Sequence, residues 1–358
     1  MRSSLHGLDV SHETRLSRYA DVSTALSLLS DEQLRERVDD ATVLGTDIGG
    51  TTALLQLDNT SIFVKMIPIA ELERRKENMM STRNVFELPP FFHYGIGSVG
   101  FGVWREVAAH TITTNWVLAK KCESFPFMYH WRVLPRMKRS STMDDPQMIA
   151  FWGSDAVRDR LEKMKQSVDC VVLFCEYFPY NLHEWLIEQV QIGEDAATSA
   201  FAMVESNLRS AVSFMNANEL QHFDAHFRNI LTDGNRVYIS DFGLATSSRF
   251  ELSDRELAFL EWNKTHDGCY VVTELVNWMA RVLGGATKQT EVIDFIRQYA
   301  DGAKSPEIIE SATAIIKRYA PIAMVMNEFY MSLVEKSRDT PFPAEKIQSI
   351  CEKTGFRP

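Results

Sequence analysis

Two polar side chains of different chemistry lie five positions apart in the segment His222-Phe-Asp-Ala-His-Phe-Arg-Asn229, a carboxylate at Asp224 and an amide at Asn229. Twelve residues further on, the sequence reads Asp241-Phe-Gly243-Leu-Ala, which supplies a second carboxylate after a predicted short hairpin. A carboxylate can accept or orient the proton of a hydroxyl group. Carboxylate and amide oxygens are also the hard ligands that suit Mg²⁺. These types and intervals favour transfer of a phosphoryl group to a hydroxyl.

The pattern H-x-D-x-x-x-x-N followed by D-F-G resembles the catalytic core of the protein-kinase-like superfamily, which includes bacterial protein Ser/Thr kinases and aminoglycoside-type phosphotransferases. Either motif alone would be weak, whereas both in this order are specific. The resemblance covers roughly residues 43–290. It implies ATP and Mg²⁺ as cofactors, with Asp224 orienting the acceptor hydroxyl, His222 supporting the loop, and Asn229 and Asp241 as metal ligands.

Lys65 lies in the apolar run I-F-V-K-M-I, at the position of the kinase lysine that pairs with the α- and β-phosphates of ATP. The alternative is a solvent-facing lysine on an edge strand, which the rest of the pattern disfavours. We predict that its acidic partner is Glu106, because Trp104-Arg-Glu resembles the opening of helix C in small-molecule kinases. Three other carboxylates compete for this role and are interpreted as solvated surface charges: Glu73, Glu77 and Glu87.

Two further segments are candidates for nucleotide binding. The glycine-rich stretch that contains Gly45, Gly49, Gly50 and Thr51 precedes Lys65, so we predict that it covers ATP, although its spacing is neither that of protein kinases nor that of a Walker loop. Alone it would be an ordinary hairpin turn. The run V-V-L-F-C-E-Y-F-P-Y-N-L resembles the kinase hinge, where backbone groups of Glu176 and Phe178 would bind adenine and Cys175 would be the gatekeeper. Without the catalytic motifs it would be a buried strand and a helix start.

The acceptor is the open question at this stage. D-F-G-L-A and E-Y-F-P-Y-N-L resemble protein kinases and favour a protein Ser/Thr hydroxyl. His226, which stands where protein kinases have lysine, and the absence of an A-P-E motif favour a small-molecule alcohol of aminoglycoside or sugar-alcohol type. A third hypothesis is a catalytically inactive kinase-like binding module. Retention of four functional residues argues against it: Lys65, Asp224, Asn229 and Asp241.

The elements that must position these residues predict an α+β class and a bilobal protein-kinase-like fold, with a small β-rich N-lobe and a larger helical C-lobe. The predicted divisions are a helical extension over 1–40, an N-lobe over 41–177 with an insertion near 68–102, and a helical C-lobe over 178–358. Predicted strands are Ala41–Leu57, Ser61–Ile67, Val171–Cys175, Ile230–Leu231 and Val237–Ile239. Three helices are predicted from their starting points, which are capping boxes at Ser30 and Ser253 and a position near Leu182. Three more are predicted over Leu72–Arg83, Trp104–Ala119 and Ala312–Tyr330, the last broken at Pro321.

Composition narrows the functional classes further. The 358 residues are 45% hydrophobic, enough for a sizeable core, and 38 Lys and Arg against 48 Asp and Glu give a net charge of −10. We therefore expect no nucleic-acid partner. The five cysteines show no C-x-x-C pairing that would predict a zinc site. No secretory signal or spanning stretch is recognisable, so we expect a cytoplasmic protein without a membrane partner.

Overall fold

The computed structural model describes residues 11–47, 49–95, 100–136, 153–300 and 308–358. The chain divides into two compact units. The first comprises the residues up to Phe178 together with Asp241–Leu257, and the second comprises Pro179–Ser240 with Ala258–Pro358. An antiparallel sheet in the first unit and a predominantly helical second unit confirm the α+β class.

The first unit is built on a five-stranded antiparallel sheet with strand order β1-β2-β3-β5-β4. Its strands are β1 Thr42–Asp47, β2 Gly50–Leu57, β3 Thr60–Ile69, β4 Met128–Pro135 and β5 Asp169–Glu176. Its helices are α1 His12–Leu28, α2 Asp31–Asp39, α3 Glu71–Arg74, α4 Val103–Leu118 and α5 Asp155–Lys165, with a 3₁₀ turn at Pro90–Tyr94 and a short strand at Thr246–Ser247.

Strand β3 is the central strand of this sheet. Its last seven residues are nearly all buried, since it is paired on both edges and covered by other elements. In register, Lys65 lies opposite Thr52 of β2 and Leu173 of β5. The interpretation of Lys65 as an edge-strand lysine is therefore wrong.

Helix α4 packs on the sheet through a cluster of buried apolar side chains. Val103, Trp104 and Val107 of the helix contact Ile67 of β3 and Leu173 of β5. Because residues three and four apart share one face of a helix, burial of 103 and 107 also points Glu106 toward the sheet side. The helix predicted over 104–119 is confirmed with a shift of one residue.

The predicted insertion near 68–102 forms a second cluster against α5. Phe86, Leu88, Phe92 and Phe101 are buried with Leu161 of α5. The charged stretch Leu72–Arg83 was predicted to be helical, and this prediction was wrong: only Glu71–Arg74 is helical, and turns follow. Residues 96–99 of the insertion lie outside the described part of the chain.

The second unit is mainly helical. Its helices are α6 Leu182–Ile192, α7 Glu194–Ala217, α9 His266–Val282, α10 Gln289–Ala300, α11 Glu310–Glu335 and α12 Ala344–Thr354. Short strands are β6 Tyr180–Asn181, β7 Leu220–Gln221, β8 Ile230–Thr232 and β9 Val237–Ile239, of which β6, β8 and β9 form an antiparallel sheet. Helix α8, Asp254–Trp262, contains the point where the chain passes from the first unit to the second.

Local signals in the sequence account for several boundaries. Ser30 and Gln33 form the predicted capping box of α2. Asp58 adopts a positive φ of 50° in the turn between β2 and β3, a conformation that aspartate tolerates better than most residues. The single strand predicted over 41–57 was wrong, because the chain reverses after Asp47 and forms two strands.

The break predicted at Pro321 was also wrong. Helix α11 runs for 26 residues with this proline inside it. A proline in a helix interior removes one backbone hydrogen bond and crowds the preceding turn. The flanking residues Tyr319, Ala320 and Ile322 are buried, so tertiary packing retains the helical course.

Candidate active site

The buried side chain of Lys65 lies between two carboxylates. Its Nζ donates to Glu106 Oε1 at 2.7 Å and to Asp241 Oδ1 at 2.8 Å. Lys65 belongs to β3, Glu106 to α4 and Asp241 to the segment after β9. The two carboxylates are 41 and 176 positions from the lysine in sequence. The structure thus brings together three of the residues that the sequence predicted for the site.

The charges around Lys65 determine its protonation state. Burial alone lowers the pKa of a lysine, because it disfavours the charged form. Here the charges of Asp241 and then Glu106, with their hydrogen bonds, outweigh burial and raise the pKa of Lys65 above its ordinary value. Lys65 is therefore a fixed ammonium group at neutral pH.

Of the three carboxylates that competed with Glu106, none contacts Lys65. Glu77 and Glu87 are exposed, as predicted. The interpretation of Glu73 as a solvated charge was wrong: it is buried and accepts hydrogen bonds from the backbone amides of Ala70 and Val103. It joins the start of α3 to the start of α4, a structural role.

Asp241 occupies a strained backbone conformation. Its φ is 62°, a region that non-glycine residues rarely adopt. Its Oδ1 also accepts the amide of Gly243 at 3.3 Å. The next residue, Phe242, is buried against His110 of α4 at a ring distance of 4.9 Å. Packing of the phenylalanine thus holds the carboxylate toward Lys65, and strain of this kind is concentrated at functional sites.

The glycine-rich stretch forms the hairpin between β1 and β2. Asp47 pairs with Gly50 across the turn, whereas Ile48 lies outside the described residues. At Gly50, with φ of 134°, a Cβ atom would lie 2.2 Å from the carbonyl oxygen of Met66, so only glycine fits. Gly45 and Thr51 lie on the two strands of this hairpin, and Gly49 is in its turn. The hairpin leads directly into the strand beside Lys65.

Glu176 is the last residue of β5, and its backbone amide donates to Phe127 O at 2.8 Å. Its side chain is buried and paired with Arg15 of α1, which sequence reasoning missed. Phe178 is buried two residues later, and Cys175 is buried beside α4, where burial raises the pKa of its thiol. The predicted adenine-binding role of the Glu176 and Phe178 backbone stays a prediction.

In the second unit, Asp224 and Asn229 are joined by hydrogen bonds. The Nδ2 of Asn229 donates to Asp224 O at 3.0 Å and to Asp224 Oδ2 at 3.1 Å. The backbone carbonyl of Asn229 accepts the Ser240 amide at 3.0 Å, and Asp241 is the next residue in the chain. The hairpin of β8 and β9 therefore returns the chain from Asn229 to the residue that precedes the second predicted metal ligand.

His222 is fully buried and supports the loop that carries Asp224. Its Nε2 donates to Ser240 O at 2.9 Å, and its Nδ1 accepts the Asp224 amide at 3.2 Å. These two bonds select a single neutral tautomer. The predicted supporting role of His222 agrees with these contacts.

Asp267 anchors the same loop, and sequence reasoning missed it. This buried carboxylate at the start of α9 accepts the backbone amides of His222 at 2.6 Å and Phe223 at 2.9 Å. Phe223 has a positive φ of 63°, so the residue before Asp224 is strained. His266 Nδ1 also donates to Asp267 Oδ1 at 3.1 Å. No motif in the sequence marks an aspartate 43 residues after Asp224.

The pKa of Asp267 reports this anchoring. Burial alone would raise it, but the hydrogen bond and charge of His266 and the amide of His222 outweigh burial and hold the pKa of Asp267 below its ordinary value. The ionised form is therefore the one that the loop stabilises.

His226 lies beside Asp224, and its backbone amide donates to Asp224 O at 2.9 Å. Its Nε2 is 3.9 Å from Asp224 Oδ1, and its Nδ1 accepts the Arg228 amide at 3.2 Å. Asp224 and His226 are both partly exposed. A protonated His226 would place a positive charge next to the predicted proton acceptor.

The segment after Asp241 is attached to α4 and to the insertion. Arg105, next to Glu106, donates from Nη2 to Glu256 Oε1 at 2.7 Å, with both side chains buried. Glu256 also forms the predicted capping box with Ser253 at the start of α8. Two contacts come from the insertion: Thr82 accepts the Glu251 amide at 2.8 Å, and His93 Nδ1 donates to Leu244 O at 2.9 Å.

Gly100 adds a backbone contact to this attachment. It has a φ of 75°, and a Cβ atom there would lie 2.3 Å from the carbonyl oxygen of Gly243. The insertion therefore approaches the D-F-G segment too closely for any side chain at this position. These contacts place the insertion next to the D-F-G segment, and the sequence did not predict this position.

The donor set fits Mg²⁺ in chemical type. Asp241 offers a carboxylate, and Asn229 uses its Nδ2 on Asp224, which leaves its Oδ1 as the ligand atom. Mg²⁺ keeps several waters and needs few protein groups. Among the described residues there is no group of three or more His, Cys, Asp or Glu side chains that could hold a metal ion. Binding of Mg²⁺ by Asn229 and Asp241 stays a prediction.

No model of a known protein family matches the sequence, and no curated protein matches it either. Within the described residues, every helix is too short or too polar to cross a membrane.

Proposed function

We propose that this protein is an ATP- and Mg²⁺-dependent phosphotransferase of bilobal protein-kinase-like fold, which transfers the γ-phosphoryl group of ATP to a hydroxyl. The observation that carries the proposal is the buried ammonium of Lys65 between Glu106 and Asp241. A lone buried charge is costly. Three ionisable groups converging in a partly buried place favour a site where a multiply charged ligand is bound.

In this proposal, Lys65 would bind the α- and β-phosphates of ATP. Its pairing with Glu106 fixes the ammonium in one rotamer, so it need not reorganise when the nucleotide arrives. Asp241 accepts from the same ammonium and is 43% exposed at its side chain, so it can serve both the lysine and a cation. Bound Mg²⁺ would neutralise charge on the phosphate oxygens.

Asp224 would accept or orient the proton of the acceptor hydroxyl. The Asn229 amide donates to one of its oxygens, Oδ2, and this hydrogen bond orients the carboxylate. Asp267 and His222 hold the backbone of the loop on either side of the strained Phe223. Most of the rate enhancement would come from such positioning and from charge neutralisation.

The acceptor that we propose is a Ser or Thr hydroxyl of a protein. A small-molecule alcohol is the second candidate, and two observations favour it. The Nε2 atom of His226 lies 3.9 Å from Asp224 Oδ1, at the position where protein kinases have lysine. The segment after Asp241 is also bound to the insertion, which occupies hydrogen-bonding groups of Glu251 and Leu244.

The experiment that decides the acceptor uses γ-labelled ATP with purified protein. Fractionated proteins form one panel, and aminoglycosides with sugar alcohols form the other. Label retained on a polypeptide as acid-stable phosphoester supports the protein acceptor, and label in a small phosphomonoester supports the second candidate. Label only in inorganic phosphate in both panels would contradict both acceptors.

A further inference from the structure

Helix α1 is attached to the end of β5 by a buried ion pair. Arg15 is fully buried, and its Nη2 donates to Glu176 Oε2 at 2.7 Å while its Nε donates to Glu176 Oε1 at 3.0 Å. This is the two-point contact that a guanidinium makes with a carboxylate. A lysine has no second donor in that geometry.

The same guanidinium organises the chain that leads into β4. It donates to the carbonyl oxygens of Glu123 at 3.0 Å and Phe125 at 2.7 Å. Glu176 Oε2 in turn accepts the amide of Phe127 at 3.2 Å. One buried pair therefore makes hydrogen bonds to three backbone groups of residues 123–127, and these bonds would be lost if the pair were removed.

Aromatic contacts extend the attachment along α1. The ring of Tyr19 lies 4.9 Å from that of Phe127 and 6.2 Å from that of Tyr129. Arg15 itself stacks over Phe127 at 5.0 Å. Since positions 15 and 19 are four apart, they share one helical face. This face of α1 packs against Glu176 and the aromatic rings beside it.

A buried ion pair adds little to stability compared with apolar packing, because both charges must be desolvated. What it provides is a defined position for the groups it joins. Here the group that it positions is the last residue of β5. The backbone of that residue, with that of Phe178, forms the segment assigned above to adenine.

We propose that Arg15 is a positioning residue for the nucleotide, and that α1 is therefore part of the nucleotide-binding unit. Arg15 holds the Glu176 side chain, and through it the backbone of residues 176–178 that receives the adenine edge. This inference rests on the proposed function, and it assigns a role to a helix that precedes the catalytic motifs.

The test separates adenine binding from phosphate binding. We expect Arg15→Met to raise the KM for ATP about tenfold, equal to the loss of about 1.4 kcal/mol of binding free energy, with kcat changed by less than about twofold. Binding of adenosine should weaken by a similar factor. Competition by tripolyphosphate, which has no base, should be unchanged.

Two variants serve as controls. Arg35→Met removes a half-buried pair with Asp39 on the neighbouring helix α2. It should leave the KM for ATP, the affinity for adenosine and the competition by tripolyphosphate unchanged. Lys65→Met should show the converse pattern, with tripolyphosphate competition lost and adenosine binding retained. Arg15→Lys should fall between the wild type and Arg15→Met, because it keeps the charge and loses the two-point contact.

A purely structural role for Arg15 gives a different result. Arg15→Met would then lower thermal stability and the active fraction without changing the KM for ATP or adenosine binding, and this outcome overturns the proposal. If Arg15→Met does not fold, Glu176→Gln and Arg15→Lys are measured in the same way, and unchanged adenosine binding in both overturns it. A wild type that neither binds nor turns over ATP contradicts the proposed function itself.

Discussion

At the scale of single residues, the contact between Lys65 and Glu106 joins a strand and a helix through one buried ion pair. The lysine remains an ammonium because its two carboxylate partners outweigh the effect of burial on its pKa. Removing Glu106 would leave the lysine with Asp241 alone. The carboxylate proposed as a metal ligand would then be committed to the lysine.

The first prediction concerns this pair. Lys65→Met and Glu106→Gln should each lower kcat/KM for ATP by at least about tenfold, and the double variant should lose little more than the worse single one, because the two side chains act together. The measurement is a double-mutant cycle of initial rates. Strictly additive losses, or an intact Glu106→Gln enzyme, would contradict the assignment. Glu77→Gln, at an exposed position, is the matched control.

The second prediction concerns Asn229 and Asp241. Asp241→Asn and Asn229→Ala should both raise the Mg²⁺ concentration needed for half-maximal ATP-induced thermal stabilisation. Asp241→Asn removes the negative charge and one of the two carboxylate oxygens, and Asn229→Ala removes the amide oxygen. Asn229→Asp should lower that concentration or leave it unchanged, since it retains an oxygen ligand and adds charge. The same Mg²⁺ midpoint in the wild type, in Asp241→Asn and in Asn229→Ala would exclude this metal site.

At the scale of elements, the loop before Asp224 is held by the first turn of α9. Asp267 accepts two consecutive backbone amides there, next to the positive φ of Phe223. A strained loop persists only where its surroundings determine it. The carboxylate therefore stabilises the backbone of the loop that carries Asp224.

The third prediction is that Asp267→Asn destabilises the protein by about 1.5–3 kcal/mol at neutral pH, the range for hydrogen bonds to charged groups. Because the folded pKa of Asp267 lies below its unfolded value, this stabilisation is complete above about pH 4 and is lost as the pH falls through the folded pKa. Urea unfolding of the two proteins from pH 7 to pH 3 measures it. A difference in unfolding free energy between the wild type and Asp267→Asn that grows as the pH falls would contradict the predicted pH dependence.

The segment after the D-F-G is also determined by its surroundings. Arg105 and Glu256 join it to the helix that carries Glu106, and Thr82 and His93 join it to the insertion. Thr246 and Ser247 are buried and Ser248 is exposed. Phosphorylation of the two buried hydroxyls would require the segment to open.

The fourth prediction follows from this attachment. The protein should be active without phosphorylation, so replacing Thr246, Ser247 and Ser248 together by Ala should change kcat by less than about threefold, whereas a phosphorylation switch would act through new arginine–phosphate pairs. ATP turnover with the best acceptor measures it. Activity lost in the Ala variant and restored by Asp at the same positions would show such a switch. Glu256→Gln is the opposite control, and we expect it to lower kcat.

At the scale of the whole molecule, the sequence predicted the parts that depend on local pattern. The strand with Lys65, the helix with Glu106 and the capping boxes at Ser30 and Ser253 follow from periodicity and capping. The hairpin at Asp47–Gly50 was missed because the apolar residues on both sides continue one strand-like run. Pro321 was misjudged because tertiary packing overrode a local helix breaker.

Contacts distant in sequence explain the rest of what was missed. Arg15 and Glu176 are 161 positions apart, and Arg105 and Glu256 are 151 apart. No motif predicts either pairing, and a buried arginine in a polar helix has the same sequence signature as an exposed one. Glu73 was assigned to the surface for the same reason. Only three-dimensional packing identifies these charges as buried.

The central claim is phosphoryl transfer that depends on Asp224, and one measurement tests it most directly. Transfer from γ-labelled ATP to the best acceptor is compared between the wild type and Asp224→Ala, with nucleotide binding followed by thermal shift in both. We predict that the variant retains ATP-induced stabilisation and loses about 10²–10⁴-fold in transfer rate, the range for a general base. An Asp224→Ala protein that keeps more than about a tenth of the wild-type rate would have lost less than the smallest factor in that range. This result would contradict the role proposed for Asp224.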